Sequence, residues 1–418
     1  MPENPYDQIA YRTYPRRQTH PDRLAAVATL FGMTPAPVTA CRLLEIGCGD
    51  GGNLLPLSYT LPASRFVGID LAERPIAIAQ RTVRDLGLAN IDLQVRDLRT
   101  LDRTDGEFDY ILAHGIYSWV PADVRDRLLA VCAERLSPQG VAFVSYNAYP
   151  GQYERQMLRE ILLRRGDDMD SARDFLRTLP HSEAAALAAC PDDILFHDIL
   201  APVNHAVWFE EFASHARVHG LRYLGEADPH DKFDETGALQ GEGGEQQLDF
   251  RKLRRFRQTL LCREEVALDR RAGPERMDAF LFSENPHGRR VAGKDPAVEG
   301  VAQALHDIYP LPVCFAELIP YAGSAASLRE ILFAMLAAGC VDIHVHEFPC
   351  AESVTERPCA SRLARYQAKT SAQVTNLCHL PVQLDERARR LLPLLDGTRR
   401  RKPNETLHWM AQMALLEG

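Results

Sequence analysis

The sequence predicts an α/β chain built on a Rossmann-like parallel sheet, and three observations carry that prediction. Short apolar segments alternate with helical patterns across the first 150 residues, the signature of strand–helix–strand units with right-handed crossovers. The first of these segments, Leu43-Leu44-Glu45-Ile46, runs into a glycine-rich turn, Gly47-Cys48-Gly49-Asp50-Gly51-Gly52. A second segment ends in Asp70, about twenty residues on, where nucleoside-binding α/β folds place a carboxylate for ribose hydroxyls.

The elements follow in order. Residues 1–36, with Tyr6, Tyr11 and Tyr14 among polar neighbours, are expected to form an N-terminal lid that ends in a helix over 23–31; Pro21 suits its first turn. The core is expected over 37–265. Its strands are predicted at 42–46, 66–70, 91–95, 108–113 and 141–146, with helices after Gly52 and over 75–86 and 123–136, the last ended by Ser137-Pro138-Gln139-Gly140. A helical run over 209–219 leads to a sixth strand at 221–226, and 256–263 reads as the seventh. Residues 151–206 read as a helical insertion after the fifth strand. Open α/β sheets bind ligands beyond the carboxyl ends of their strands, so this insertion should roof the substrate site. Residues 236–247, rich in Gly and Gln, read as a mobile linker. Beyond 265, helical patterns at 296–309, 313–321 and 327–339 and an alternating strand at 341–346 predict a winged-helix-like α+β module, assigned to 290–418 with a tail at 382–395 and a last helix from Asn404.

The glycine turn carries the chemistry. Glycines at 47, 49 and 51 let the backbone approach a ligand where a Cβ would clash. Nicotinamide fingerprints space their glycines differently and bind pyrophosphate, and Glu45 at the strand end would repel a diphosphate. A ligand with a cationic part and no phosphate fits better, and S-adenosylmethionine is such a ligand. Gly47, Gly49 and Gly51 then form the cradle, Asp70 takes the ribose diol, and Asp97 with Leu98 frames the adenine after the third strand. Glu45 either organises the turn or assists at the amino acid end. Tyr11, Asn53, Leu71 and His114 complete the expected cofactor contacts.

These words belong to a wider pattern: Tyr6-Asp7 with Tyr11, Gln18-Thr19-His20-Pro21, residues 44–51, 114–121 (HGIYSWVP) and 145–151 (SYNAYPG), Phe196-His197-Asp198, residues 220–227, Val374-Thr375-Asn376-Leu377 and residues 391–398. Through them the chain resembles class I S-adenosylmethionine-dependent methyltransferases, and more narrowly the bacterial subgroup with a methyltransferase regulatory domain, which includes rickettsial-type protein lysine methyltransferases. The resemblance covers nearly the whole chain and implies a seven-stranded class I methyltransferase core. It implies methyl transfer to a nitrogen, a lysine of a peptide or protein being the first reading. The alternatives are a small-molecule or natural-product N- or O-methyltransferase, and a non-catalytic cofactor-sensing module. Gln152 departs from the subgroup, where an aromatic is common.

In-line methyl transfer asks the protein to align an acceptor lone pair, exclude water and let a proton leave. His114, Tyr117 and Trp119 follow the fourth strand, and Tyr146 and Asn147 end the fifth, where side chains should face the methyl group. His197 and Asp198, in the insertion, are the expected general base and its polar neighbour, with His205 also considered. His344, His346 and Glu347, with Cys340 and Cys350 nearby, match no standard zinc spacing, and no metal is expected.

Net charge of −9 argues against a broad nucleic-acid surface. The basic run from Arg251 to Arg257 is either a patch for an acidic partner or, more simply, a solvated strand edge. The ten cysteines form no C-x-x-C pair, the first residues lack a secretion signature, and no apolar run spans a bilayer. These point to a cytoplasmic protein with reduced thiols and no membrane segment. The C-terminal module is expected to regulate, to recognise substrate or to mediate dimerisation, and a homodimer is a further expectation.

Overall fold

The computed structural model describes residues 7, 9, 11, 13–166, 168–234, 238, 239, 241–285, 288, 295–351 and 353–418. Tyr6 and residues 236–237 and 290, used in the sequence reading, lie outside them.

α1 (Pro21–Leu30) precedes the sheet, with His20 as its N-cap accepting a hydrogen bond from the Asp22 amide. The core then runs β1 (Arg42–Ile46), α2 (Leu54–Thr60), β2 (Arg65–Asp70), α3 (Glu73–Leu86), β3 (Ile91–Val95), β4 (Phe108–Ala113), α4 (Ala122–Arg135) and β5 (Leu136–Asn147). The helical insertion follows as α5 (Tyr153–Arg165), α6 (Met169–Thr178) and α7 (Ser182–Ala189), closing with a helical turn, Asp192–Ile194, and a π-turn, Leu195–Ile199. The insertion has its own small apolar core, including Leu158, Leu162, Leu176 and Leu187. α8 (Phe209–Val218), β6 (Leu221–Glu226), α9 (Glu245–Lys252) and β7 (Phe256–Arg263) complete the core.

The sheet order is β3-β2-β1-β4-β5-β7-β6. β7 runs antiparallel to both β5 and β6, and the remaining strand pairs are parallel. Strand order reverses between β1 and β4, and their carboxyl ends therefore border the crevice where such sheets bind ligands. Apolar layers cover both faces, one under α1 and α2, the other under α4 and α8.

Three local readings are corrected by packing. The helix ends at Arg135, close to the expected place, but residues 137–140 belong to the start of β5, where Ser137 donates to Asp109 at 2.9 Å and Arg263 donates through Nε to the Leu136 carbonyl at 2.9 Å. Residues 245–247 are no linker, since they open α9. Glu245 there is fully buried, 2.9 Å from Lys232 and 3.1 Å from Arg257. The basic run is the third case. Arg257 is buried among Glu226, Glu245 and Asp249, at 2.5, 3.1 and 2.9 Å, and Arg254 lies 3.2 Å from Asp249. The acids that meet these arginines come from the chain itself.

The C-terminal part consists of two bodies. β8 (Leu281–Glu284), α10 (Pro296–Ile308), β9 (Val313–Cys314), α11 (Phe315–Ala322), α12 (Ala325–Ala337) and β10 (Val341–His344) make a three-stranded sheet, order β10-β8-β9, under three helices. Its apolar residues continue the cluster under α1 and the main sheet. The second body, α13 (Arg362–Gln367), β11 (Gln373–Thr375), β12 (Pro381–Gln383), α14 (Glu386–Leu391) and α15 (Glu405–Gln412), has a separate core around Leu392, Leu407 and Met410. Buried charges tie the lid segment to β10: Arg23 pairs with Asp342 at 2.6 Å, Arg17 pairs with the same carboxylate, and Asp22 holds His344 at 2.7 Å. His344 is also 2.9 Å from the Ser283 hydroxyl, so its ring is occupied by hydrogen bonds.

Candidate active site

A cavity of about 700 Å³ opens where β1, β2 and β4 end, lined also by Tyr11, Thr13, Tyr14 and Arg16 and by Ile194 and Asp198 of the insertion. The glycine turn forms its floor. Gly47 and Gly49 hold φ of +76° and +53°, and added Cβ atoms there would collide with Ile116 and Thr13. Gly51 does not line the cavity; it faces Leu55 of α2 and Ala79 of α3. Thr13 crosses the turn, its hydroxyl accepting from the Gly52 amide at 2.7 Å and donating to Asp50.

Two carboxyls organise this half. Asp70 accepts from the Gly49 amide and from the Ala72 amide, both at 2.9 Å, and burial raises its pKa. Glu45 is buried with Oε1 accepting from Asn53 Nδ2 at 2.8 Å, while Oε2 has no partner among the described residues. Desolvation, opposed by Asn53 and Arg16, lifts its pKa to about 8. Asn53 Oδ1 in turn accepts from the Arg16 amide and the Thr19 hydroxyl and lies 3.0 Å from His379 Nε2, a residue of the second C-terminal body. Asp97, Leu98 and Leu71 lie along the same wall. Asp97 caps the turn Leu98–Thr100 and is paired with Arg99 at 2.6 Å, which holds its pKa down.

The other half is aromatic and less polar. Tyr11, Tyr14, His114, Trp119, Ile194, Asp198 and Phe256 line it. Trp119 Nε1 is buried without a partner among the described residues. Burial drops the His114 pKa to about 3, so its ring is neutral at physiological pH, with Nδ1 3.2 Å from the Ser145 hydroxyl. Burial lifts Asp198 to about 6 and, with the Asp198 charge, Tyr11 to about 12.

Of the residues proposed for catalysis, His114, Trp119 and Asp198 line the cavity, and four others do not. Tyr117 is buried against Phe212, with its hydroxyl 2.9 Å from His215 Nδ1. Tyr146 stacks on Phe212, and its hydroxyl accepts from Thr259 at 3.2 Å. Asn147 donates to Asn204 and accepts from Gln152, at 2.9 and 3.1 Å. Gln152 therefore braces the end of β5 and is absent from the cavity wall. His197 turns away from the cavity, with Nε2 2.8 Å from the Ile9 carbonyl, and its neighbour Asp198 takes the place expected of it. Arg16, Thr13, Arg96, Arg99 and Phe256 line the cavity without having been singled out, and Tyr14, named only for the expected lid, lines it as well. Among the five, Arg16 had a signal, two residues before the Gln18-Thr19-His20-Pro21 word.

The orphaned Glu45 oxygen, the clash-tight glycine floor and the cavity volume fit S-adenosylmethionine. Gly47 and Gly49 would hold its backbone-facing edge, Glu45 and Arg16 its amino acid end, Asp70 the ribose and Asp97 with Leu98 the adenine. When bound, it supplies an electrophilic methyl group for in-line transfer.

Sheet order and cavity together define a class I methyltransferase fold. A model described as "methyltransferase domain" matches residues 43–140, one described as "predicted methyltransferase regulatory domain" matches 191–263, and one described as "PKMT, C-terminal winged helix domain" matches 356–407. The last falls on the second C-terminal body, beyond the 296–346 stretch that suggested a winged helix in the sequence. Among curated proteins, the uncharacterized protein RP789 of Rickettsia prowazekii (strain Madrid E) is 30% identical over 96% of this chain and 84% of its own. RP028 of the same organism is 32% identical over 52% of this chain and 96% of its own. Among solved structures, PKMT2 from Rickettsia typhi has the same fold, with TM-score 0.85 at 24% identity over 98% of this chain and 100% of its own; its complex with AdoHcy gives 0.82. The chain belongs to the family of class I S-adenosylmethionine-dependent methyltransferases of the rickettsial PKMT type. It is an enzyme, and its methyl donor is S-adenosylmethionine.

Proposed function

We propose that the protein methylates the side-chain nitrogen of lysine in a peptide or protein. The observation that carries this reading is Asp198, a desolvated carboxyl in the wall of the cavity, near enough to Tyr11 for its charge to raise that phenol's pKa, with Trp119 lining the same cavity. With a pKa of about 6 it is ionised at neutral pH and attracts an ammonium, while aromatic faces favour the same cation. Asp198, the carboxylate that meets this ammonium, is placed to accept its proton before the neutral amine attacks. His114 stays neutral and orients without adding positive charge. The likeness in fold to the Rickettsia PKMT2 and the PKMT winged-helix match support a protein acceptor over a metabolite.

The reading includes a cytoplasmic, homodimeric enzyme. No helix of the described residues is long and apolar enough to cross a membrane, and exposed Tyr153 and Met157 on α5 support pairing with a second copy. The acceptor is tested by incubating the enzyme with methyl-labelled S-adenosylmethionine and, separately, lysine-containing peptides and a pool of small amines and phenols. Acid hydrolysis of the labelled product should return methyllysine; label confined to the metabolite pool would replace this reading with the small-molecule one.

A further inference from the structure

We propose that Asp126, His215 and His219 form a binding site for a divalent cation of the zinc class on the outer side of the core, separate from the cofactor cavity. His215 lies in α8 and His219 at its C-cap, four residues on, which brings both rings to one side of the helix. Asp126 comes from α4. Its Oδ1 is 2.8 Å from His219 Nε2 and 3.4 Å from His215 Nε2, and the three ligand atoms lie within 4.8 Å of one another. Tetrahedral zinc, with bonds of about 2.0–2.1 Å, spaces its ligands roughly 3.3 Å apart. The three groups thus already stand near the spacing a cation imposes.

The surroundings support the assignment independently. His215 Nδ1 is 2.9 Å from the Tyr117 hydroxyl. With Nδ1–H donating there, the Nε2 lone pair is directed at Asp126, the arrangement that orients metal-bound histidines. The site also stays open: Asp126 is 60% exposed, leaving room for water as a fourth ligand. Two imidazoles and one carboxylate without a thiolate suit zinc, nickel or copper and are a poor match for magnesium or calcium. None of the three residues lines the cofactor cavity. A bound cation would clamp α4 to α8 and, through Tyr117, steady the short turn Tyr117–Trp119 that brings Trp119 into the cavity wall.

The test uses the full chain, stripped with a chelator, reduced, and titrated with zinc chloride by calorimetry and with cobalt(II) chloride by absorbance. The expected result is one saturable equivalent. Affinity should fall at least about tenfold in both His219→Ala and Asp126→Ala, and the cobalt spectrum should lack a thiolate charge-transfer band. Binding of S-adenosylmethionine serves as the check that each variant is folded. Asp126→Ala, a change at the surface, carries the test alone if His219→Ala does not fold. No saturable equivalent, an equivalent that survives the substitutions, or a thiolate band placing the cation on the cysteines would each overturn the proposal.

Discussion

Glu45 shows how a single side chain can be poised for its ligand. One oxygen is held by Asn53, the other is buried and unpartnered, and burial lifts the group to about 8. An acid whose folded pKa is raised holds its proton at neutral pH, and the free protein loses stability as pH climbs from the unfolded carboxyl range toward 8. A cationic amino acid end beside it favours the carboxylate. Cofactor binding at pH 7 should therefore release up to about one proton, and affinity should rise as the pH passes about 8. Calorimetry in two buffers of different ionisation heat measures that proton, and Glu45→Gln should abolish its release; proton uptake by the wild type would contradict the assignment. Asp70→Ala should weaken cofactor binding about tenfold to a hundredfold, by loss of bonds to a charged acceptor. At this scale the sequence was readable where the backbone imposes chemistry, as at Gly47, Gly49 and Asp70, because a glycine turn and a strand-end acid have few other uses together. It was only partly readable for aromatics: Tyr11 and Trp119 line the cavity as expected, while Tyr117 and Tyr146 pack on Phe212 under α8, and local sequence does not separate the two outcomes. Nor can it choose between neighbours on a helical turn, and the cavity received Asp198 in place of His197.

At the scale of elements, the far edge of the sheet is held by buried charge. Arg257 meets Glu226, Glu245 and Asp249, while Lys232 and Arg254 join them, so three cations face three carboxylates with little water. Such a group is specific without being strongly stabilising as a whole, yet removing one member strands the others. Asp249→Ala should cost about 3–5 kcal/mol in urea unfolding; a loss below about 1 kcal/mol would mean that Arg257 finds other partners. Seven strands and their order of appearance were legible from apolar segments between helical patterns. The fate of the basic run was not, because the acids that pair with it lie up to 72 residues away and local sequence shows a run of charges without its partners.

At the scale of the whole molecule, the C-terminal half is wired to the cofactor loop. His379, buried with φ of +59°, reaches Asn53, and Asn53 positions Glu45. His379→Ala leaves Asn53 Oδ1 its two other donors, so cofactor affinity should fall only about twofold to tenfold; unchanged affinity would show the contact to be passive. No link between residues 326 positions apart was legible in the sequence, since no local pattern encodes a contact between domains. One cavity serves both partners of the reaction, with the cofactor held at Glu45 and Asp70 and the acceptor amine received at Asp198 in the proposed function. The most direct test is single-turnover methyl transfer to a lysine peptide at saturating S-adenosylmethionine, comparing wild type with Asp198→Asn. The account predicts at least a tenfold slower transfer, about 1.4 kcal/mol of barrier, with cofactor affinity unchanged. Equal rates, or a loss traced entirely to weaker cofactor binding, would contradict it.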